Sequence, residues 1–301
     1  MLELLLLPFL EAALRTATPL AFAALGELVA ERAGVINLGL EGSIIAGCLG
    51  GAMFAMLGGS ALGYAGAALA GLLLAAIFAL FVLRFGSDQI ITGTAITVLG
   101  LGATGTIFHA FPERVGVGTV LPTTGPLPIP LLSELPVLGR VLFAQPAPTY
   151  VLFALVPLLA WWSARTHAGL ALRAVGESPA AAAAAGIAPQ RVRALAILFS
   201  GLMGGLCGGT LVLAQVGSFN ENMSAGRGFI AIAIVVLGRW TPWGTAGAAV
   251  VFGAAFALQY LAQTLGTTLP YQLFLALPYV LTLTLLAALR GRAVAPAHLG
   301  R

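Results

Sequence analysis

The sequence contains no lysine: all fourteen of its basic residues are arginine. A phosphate-binding P-loop requires a lysine in GxxxxGK[ST], so this chain does not hydrolyse ATP by that route. Charge of either sign is scarce, at 8% of the residues, where a soluble globular chain carries about 25%. Aspartate occurs only at Asp88, which rules out a catalytic aspartate pair. His109, His167 and His298 stand far apart, with no metal-ligand spacing, no HExxH helix and no serine partner. The two cysteines, Cys48 and Cys207, each lie in an apolar run and suit small core positions, not a disulfide or a zinc pair. No catalytic residue, metal or cofactor is expected, and the chain is not read as an enzyme. The arginines are dispersed between hydrophobic runs, which fits orientation in a membrane and not nucleic-acid binding. The N-terminus, MLELLLLPFLEAAL, lacks a basic n-region and reads as a mature membrane segment.

What is present is apolar: 59% hydrophobic residues and a mean hydropathy of +1.02. The expected fold is an all-α polytopic membrane protein, one transmembrane domain over residues 1–301. The apolar runs at 8–29, 44–57, 62–83, 90–111, 150–164, 194–216, 228–238, 244–265 and 272–289 give about nine transmembrane helices. Gly58-Gly59-Ser60 predicts a tight turn. Gly201, Gly205 and Gly209 recur every four residues, with Gly204 and Gly208 beside them, so another helix should approach closely there. Residues 112–148 hold eight of the seventeen prolines and read as a long extramembrane loop, extended through LPTTGPLPIP. Two stretches, 30–40 and 228–238, are short and interrupted, one in each half. They are expected to be broken or re-entrant segments of pseudo-symmetric halves.

Residues 165–193 form a basic loop between two spans, with four of the fourteen arginines: Arg165, Arg173, Arg191 and Arg193. Inside it a short helix is predicted. Ser178 is the N-cap, Pro179 the first helical residue, the alanines at 180–185 the body, and Gly186 the left-handed stop. Such an element on a basic loop suits docking to a partner on the cytoplasmic face. If 165–193 is cytoplasmic, so are 84–89, 239–243 and the tail. The proline-rich loop is then extracytoplasmic, with the N-terminus outside and the C-terminus inside.

Four stretches carry a family resemblance. ERAGVINLGLEG (31–42), SDQIITGTAI (87–96), AVGESPAAAAAAGI (174–187) and SAGRGFIAIAIVVLGRWTPWG (224–244) resemble, in order, segments of bacterial ABC-importer permeases. The group is that of ribose, branched-chain amino acid and nucleoside permeases, and the first two stretches are most similar to its nucleoside or simple-sugar uptake branch. The resemblance implies a multi-pass subunit of the bacterial cytoplasmic membrane that forms half of a translocation path. It implies as partners an ATPase with two nucleotide-binding halves, a second related permease and a substrate-binding lipoprotein. Whether the two permeases are identical, and which solute is carried, stays open; a neutral nucleoside is expected first and a simple sugar next. Uncharged polar residues in the spans, including Thr92, Thr94, Gln215, Gln259 and Gln263, suit a neutral solute.

By the same resemblance Glu177 and Gly186, with Ser178 and Arg173 beside them, belong to the ATPase-coupling element. Glu177 otherwise serves only as a helix-start charge. Asn37 and Glu41 match the first signature and are candidates for the substrate path, as ionisable or polar groups at membrane depth. Alternatively, Glu41 satisfies amides at a helix start or pairs with Arg32. Asn220, Asn222 and Arg227 line an outer gate or form a solvated loop. Glu27 and Glu31, one turn apart, are expected at an interface. The rival function is a secondary transporter that uses Glu27 or Glu41 as a proton site.

Overall fold

The computed structural model describes residues 2–111, 120–135, 138–264 and 295–300, with isolated positions 276, 280, 284 and 287. Parts of the proline-rich loop, most of the expected span at 272–289, and Arg290, Arg292 and Arg301 lie outside the described residues. Among the described residues six helices are long and apolar enough to cross a membrane.

Helix α1 (Leu2–Arg32) contains Pro19, which has no N–H for the carbonyl of Arg15. Gln215 Nε2 donates to that carbonyl at 2.7 Å, so the defect is repaired from another helix. Glu11, one turn before Arg15 and within reach of it by spacing alone, pairs with Arg140, Nε to Oε1 at 3.4 Å. Helix α2 (Leu40–Ala79) has 40 residues, about 60 Å if straight, twice a ~30 Å hydrocarbon core. It folds back at Gly58–Gly59, where Gly59 takes φ +83°. A methyl added at Gly50 would lie 2.8 Å from Ala70 Cβ, and one at Gly63 2.8 Å from Ala55 Cβ. The two arms therefore run side by side as a hairpin, with the turn where the glycine pair predicts it. The second arm ends in a π-helical turn, Leu80–Arg84.

Helix α3 (Gln89–Ala110) is capped by Asp88, whose Oδ1 accepts from Ile90 and Ile91 N at 2.8 and 2.9 Å. In the proline-rich loop, β1 (Pro126–Pro128) pairs antiparallel with β2 (Ala144–Pro146) around a short helix, α4 (Leu138–Phe143). There follow α5 (Ala147–Arg165), α6 (His167–Glu177), α7 (Pro179–Ala184) and α8 (Pro189–Thr210). A π-helical extension (Leu211–Val216) continues α8; then come α9 (Arg227–Leu237) and α10 (Pro242–Thr264).

The glycines of α8 set the packing. Gly201, Gly205 and Gly209 face the second arm of α2, and Gly204 and Gly208 face the first. A methyl at Gly204 would sit 2.7 Å from Leu40 Cδ1, and one at Gly208 2.6 Å from Cys48 N. Helix α8 thus lies in the groove of the hairpin with backbone against backbone, which only glycine permits. On the other side α1 packs on α10, where Thr16 Oγ1 donates to Gly253 O at 2.7 Å. Leu20, Leu25, Leu40, Ile44, Leu211, Ile234 and Phe252 fill the core between them.

Candidate functional site at the interruption between the first two helices

Helix α1 stops because Gly34 adopts φ +87° and Val35 N donates back to Ala30 O at 3.0 Å. The chain then runs without helix to Leu40. Within a membrane bundle such backbone must find its partners in the protein, because lipid supplies none. Gln89 Oε1 accepts from Ile36 N at 2.9 Å, Glu27 Oε1 from Asn37 N at 2.8 Å, and Thr97 Oγ1 donates to Leu38 O at 3.0 Å. Ser200 Oγ closes a triangle, 3.1 Å from Glu27 Oε2 and 3.1 Å from Asn37 Nδ2. Glu27, Asn37 and Ser200 are all buried.

Glu41, in the first turn of α2, reaches the start of α9. Its Oε1 accepts from Gly226 N at 2.8 Å and its Oε2 from Gly228 N at 2.6 Å. A carboxylate there satisfies two orphan amides and favours the positive end of the helix dipole. The approach is so close that a methyl on Gly228 would lie 2.6 Å from Glu41 N. Beyond α9, Arg239 and Trp240 adopt φ +56° and +52°. This turn lets Trp240 O accept from Arg32 Nε at 2.8 Å, while the indole N–H donates to Glu31 Oε2.

On the opposite flank Gly176, near the end of α6, packs against the Arg32 carbonyl and Gly34 N. Arg193 Nε donates to Ala33 O at 3.2 Å. Residues 298–300 thread between the two: His298 N donates to Gly176 O at 3.0 Å, and Gly300 N to Gly34 O at 3.1 Å. The stretches 87–96, 174–187 and 224–244 therefore all converge on 31–42.

The structure places the sequence candidates unevenly. Asn37 and Glu41 are buried at this junction. Asn220 is exposed in the turn before α9 and makes no hydrogen bond to them among the described residues. Arg227 opens α9; its Nη1 donates to Met223 O and Ser224 O at 2.8 and 3.0 Å, and its guanidinium lies 5.8 Å from the Phe256 ring centre. In the basic loop, Ser178 Oγ accepts from Ala181 N at 3.3 Å and Gly186 has φ +82°. Glu177 ends α6 instead of opening α7, and both it and Arg173 are exposed.

Several site residues were not singled out by sequence. Ser200, Gln89, Thr97 and Trp240 complete the junction. Glu27 and Glu31 are buried inside it. Helix α6 was also missed. Its signals were Thr166, whose Oγ1 accepts from Gly169 N at 3.1 Å, and the buried spacing of Leu172, Val175 and Gly176.

A helical bundle whose interrupted segments are knit together by buried polar side chains is the architecture of a membrane transport subunit. The family model for the permease component of branched-chain amino acid transport systems matches residues 9–286, and the chain belongs to that family. It is 35% identical over 290 residues to the guanosine ABC transporter permease protein of Bacillus subtilis, covering 93% of this chain and 91% of the relative. It is 31% identical over 289 residues to the nucleoside ABC transporter permease protein of Lactococcus lactis, with the same coverage of 93% and 91%. No solved structure matches the chain. The protein is a multi-pass permease subunit of an ABC importer; it is not itself an enzyme, and ATP is hydrolysed on a partner chain.

Proposed function

We propose that this subunit forms half of the path for a neutral nucleoside, with a simple sugar the second choice, in a bacterial cytoplasmic membrane. Its partners on this reading are a related permease, a substrate-binding lipoprotein and an ATPase with two nucleotide-binding halves. The chain crosses the membrane about nine times, N-terminus outside and C-terminus inside. The observation that carries the reading is the convergence on residues 31–42. Support for the substrate comes from the guanosine and nucleoside relatives.

The interrupted stretches 33–39 and 217–226 bring the starts of α2 and α9 together at Glu41, as broken helices do around a substrate path. Asn37, Glu41, Asn220 and Arg227 are its candidate lining. Helix α7, with Glu177, Ser178, Gly186 and Arg173 around it, docks on the ATPase; its alanines are mostly exposed. A displacement of α6 and α7 is passed through Gly176 and Arg193 to residues 33–34, and so to the base of the interruption. A secondary transporter is not favoured, since Glu27 and Glu41 are committed to backbone amides and Ser200.

The test is uptake of labelled guanosine or uridine by the reconstituted complex, with nucleosides, pentoses and leucine as competitors. Nucleosides should compete. Competition by leucine and by no nucleoside would overturn the substrate assignment. In the same liposomes Gly186→Val, which forces a β-branched residue to φ +82°, should leave assembly intact and separate ATP hydrolysis from uptake. Normal coupling in that variant would reduce residues 165–193 to a connecting loop.

A further inference from the structure

Two cavities on the α6 side of the bundle join into one groove. The first, about 460 Å³, is lined almost wholly by apolar side chains, among them Leu155, Leu158, Leu195 and Phe199. The second, about 280 Å³, adds Arg32, Arg173, Ser163, Thr241 and Trp243. Val29, Leu159, Trp162 and Leu172 line both, so an apolar channel opens directly into a cationic end.

The cationic end is only partly balanced from within: Glu177, at the end of α6 and outside both cavities, acts on Arg32, and Arg173 acts against it. No acidic residue lines either cavity. Arg32 spends Nε and Nη2 on the Trp240 carbonyl, which leaves Nη1. Arg173 is exposed and has no hydrogen bond or ion pair among the described residues. Three of the chain's four tryptophans, Trp162, Trp240 and Trp243, line the groove. Indole rings of this kind settle at the boundary between acyl chains and headgroups. Leu158 and Leu195 are 57% and 69% exposed beside it, as lipid-facing side chains are.

The geometry points to a binding site for an anionic phospholipid, with one acyl chain in the Leu155–Phe199 channel and the phosphate at Arg173 and Arg32. A basic pocket between membrane helices selects such headgroups by charge, and the apolar channel retains the chain. The occupied leaflet is the one facing residues 165–193, so its assignment as the inner leaflet rests on the topology proposed above. The binding itself does not: lipid retention requires neither the ATPase nor a transported solute.

The test uses the full chain in nanodiscs of phosphatidylcholine with a minor fraction of dibrominated phosphatidylglycerol or dibrominated phosphatidylcholine. Bromine quenches only nearby indoles, and three of the chain's four indoles line the groove; Trp161→Phe removes the fourth. The brominated phosphatidylglycerol should quench more strongly than the brominated phosphatidylcholine at equal fraction. Arg173→Gln should weaken that preference about fivefold, the worth of one basic residue at a lipid surface. Arg191→Gln, outside the groove, should leave it unchanged. Ala168→Trp, which fills the channel, should abolish retention of phosphatidylglycerol by the assembled importer in native mass spectrometry; if that variant fails to assemble, the quenching comparison stands alone. Equal quenching by the two lipids, or an unchanged preference in Arg173→Gln, overturns the site. So does a photo-crosslinker at Leu195 that captures the second permease instead of lipid.

Discussion

The two interrupted segments meet at one carboxylate but are built oppositely. Residues 33–39 are mostly buried, and helices α1, α3 and α8 satisfy them through Glu27, Gln89, Thr97 and Ser200. Residues 217–226 are exposed at Asn220, Glu221, Asn222 and Ala225 and buried at Phe219 and Ser224. They fold through local turns, with Asn222, Ala225 and Gly226 at φ +55°, +46° and +77°, and touch other parts of the chain through Leu121 N to Gly217 O and the His109–Glu221 pair. The first segment is locked by mostly buried side chains from three helices, the second chiefly by its own turns, with fewer and more exposed outside contacts at Gly217 and Glu221. Glu41 is where the locked segment holds the freer one. The difference assigns rigidity to the first half of the junction and leaves the approach to α9 as the part able to shift.

The most damaging change should be Glu41→Ala. It strands the amides of Gly226 and Gly228 in a buried junction, and hydrogen bonds to a charged group are worth about 1.5–3 kcal/mol each. Thermal unfolding in detergent should fall sharply and uptake should be lost, with Glu41→Gln intermediate. A stable, active Glu41→Ala protein would show that the two segments are not held through this carboxylate.

Gly228→Ala should come next, since its methyl would lie 2.6 Å from Glu41 N and 2.7 Å from Glu41 Cα. Overpacking of that kind costs about 1–3 kcal/mol. Gly226→Ala has no atom within 4 Å of the added methyl and meets only its positive φ, a penalty of roughly 1–2 kcal/mol. If both variants lost equal stability, close approach would not be what distinguishes the two glycines.

The smallest structural effects belong to the freer segment. Arg227→Ala should insert and assemble normally but impair uptake, because it removes the hydrogen bonds to Met223 O and Ser224 O that shape the turn before α9. Asn220→Ala, on an exposed residue, should change stability by no more than about 0.5 kcal/mol. Uptake kinetics of Arg227→Ala matching the parent at equal protein level would make 217–226 an ordinary loop.

The features legible in the sequence were those written locally. The Gly58–Gly59 turn, the Ser178 cap, the Gly186 stop and the glycine stripe of α8 each follow from backbone preference or residue size over a few positions. The first interruption was visible as a polar break at 30–40; the second was expected within 228–238, which forms the continuous helix α9, and falls instead in the polar stretch before it. The partners were not visible. Asn37 was a candidate, yet Ser200, 163 residues away, gave no sign of meeting it. Glu11 had Arg15 one turn away and takes Arg140 instead. Gln215 looked like a group for a polar solute and repairs the Pro19 defect. A polar residue in a membrane helix announces that it needs a partner, but its own sequence neighbourhood does not name which.

The same separations bear on how the protein is made. Glu27 finds Ser200 only 173 residues later, Glu31 finds Trp240 after 209, and Glu41 finds Gly226 and Gly228 after 185 and 187. At about 5–20 residues per second, the ribosome leaves these three acids without these distant partners for roughly 10–40 s, although Glu27 can meet Asn37 N, ten residues on, much sooner. An isolated acidic side chain costs about 2.5–3.5 kcal/mol by insertion at the centre of a membrane helix, and less near the helix ends where Glu31 and Glu41 lie. The first half therefore enters the membrane as an unfinished piece, and the insertion machinery must shelter it until α8 and α9 emerge. Yield of mature subunit is then governed by residues 200–240 as much as by the helices that are inserted first.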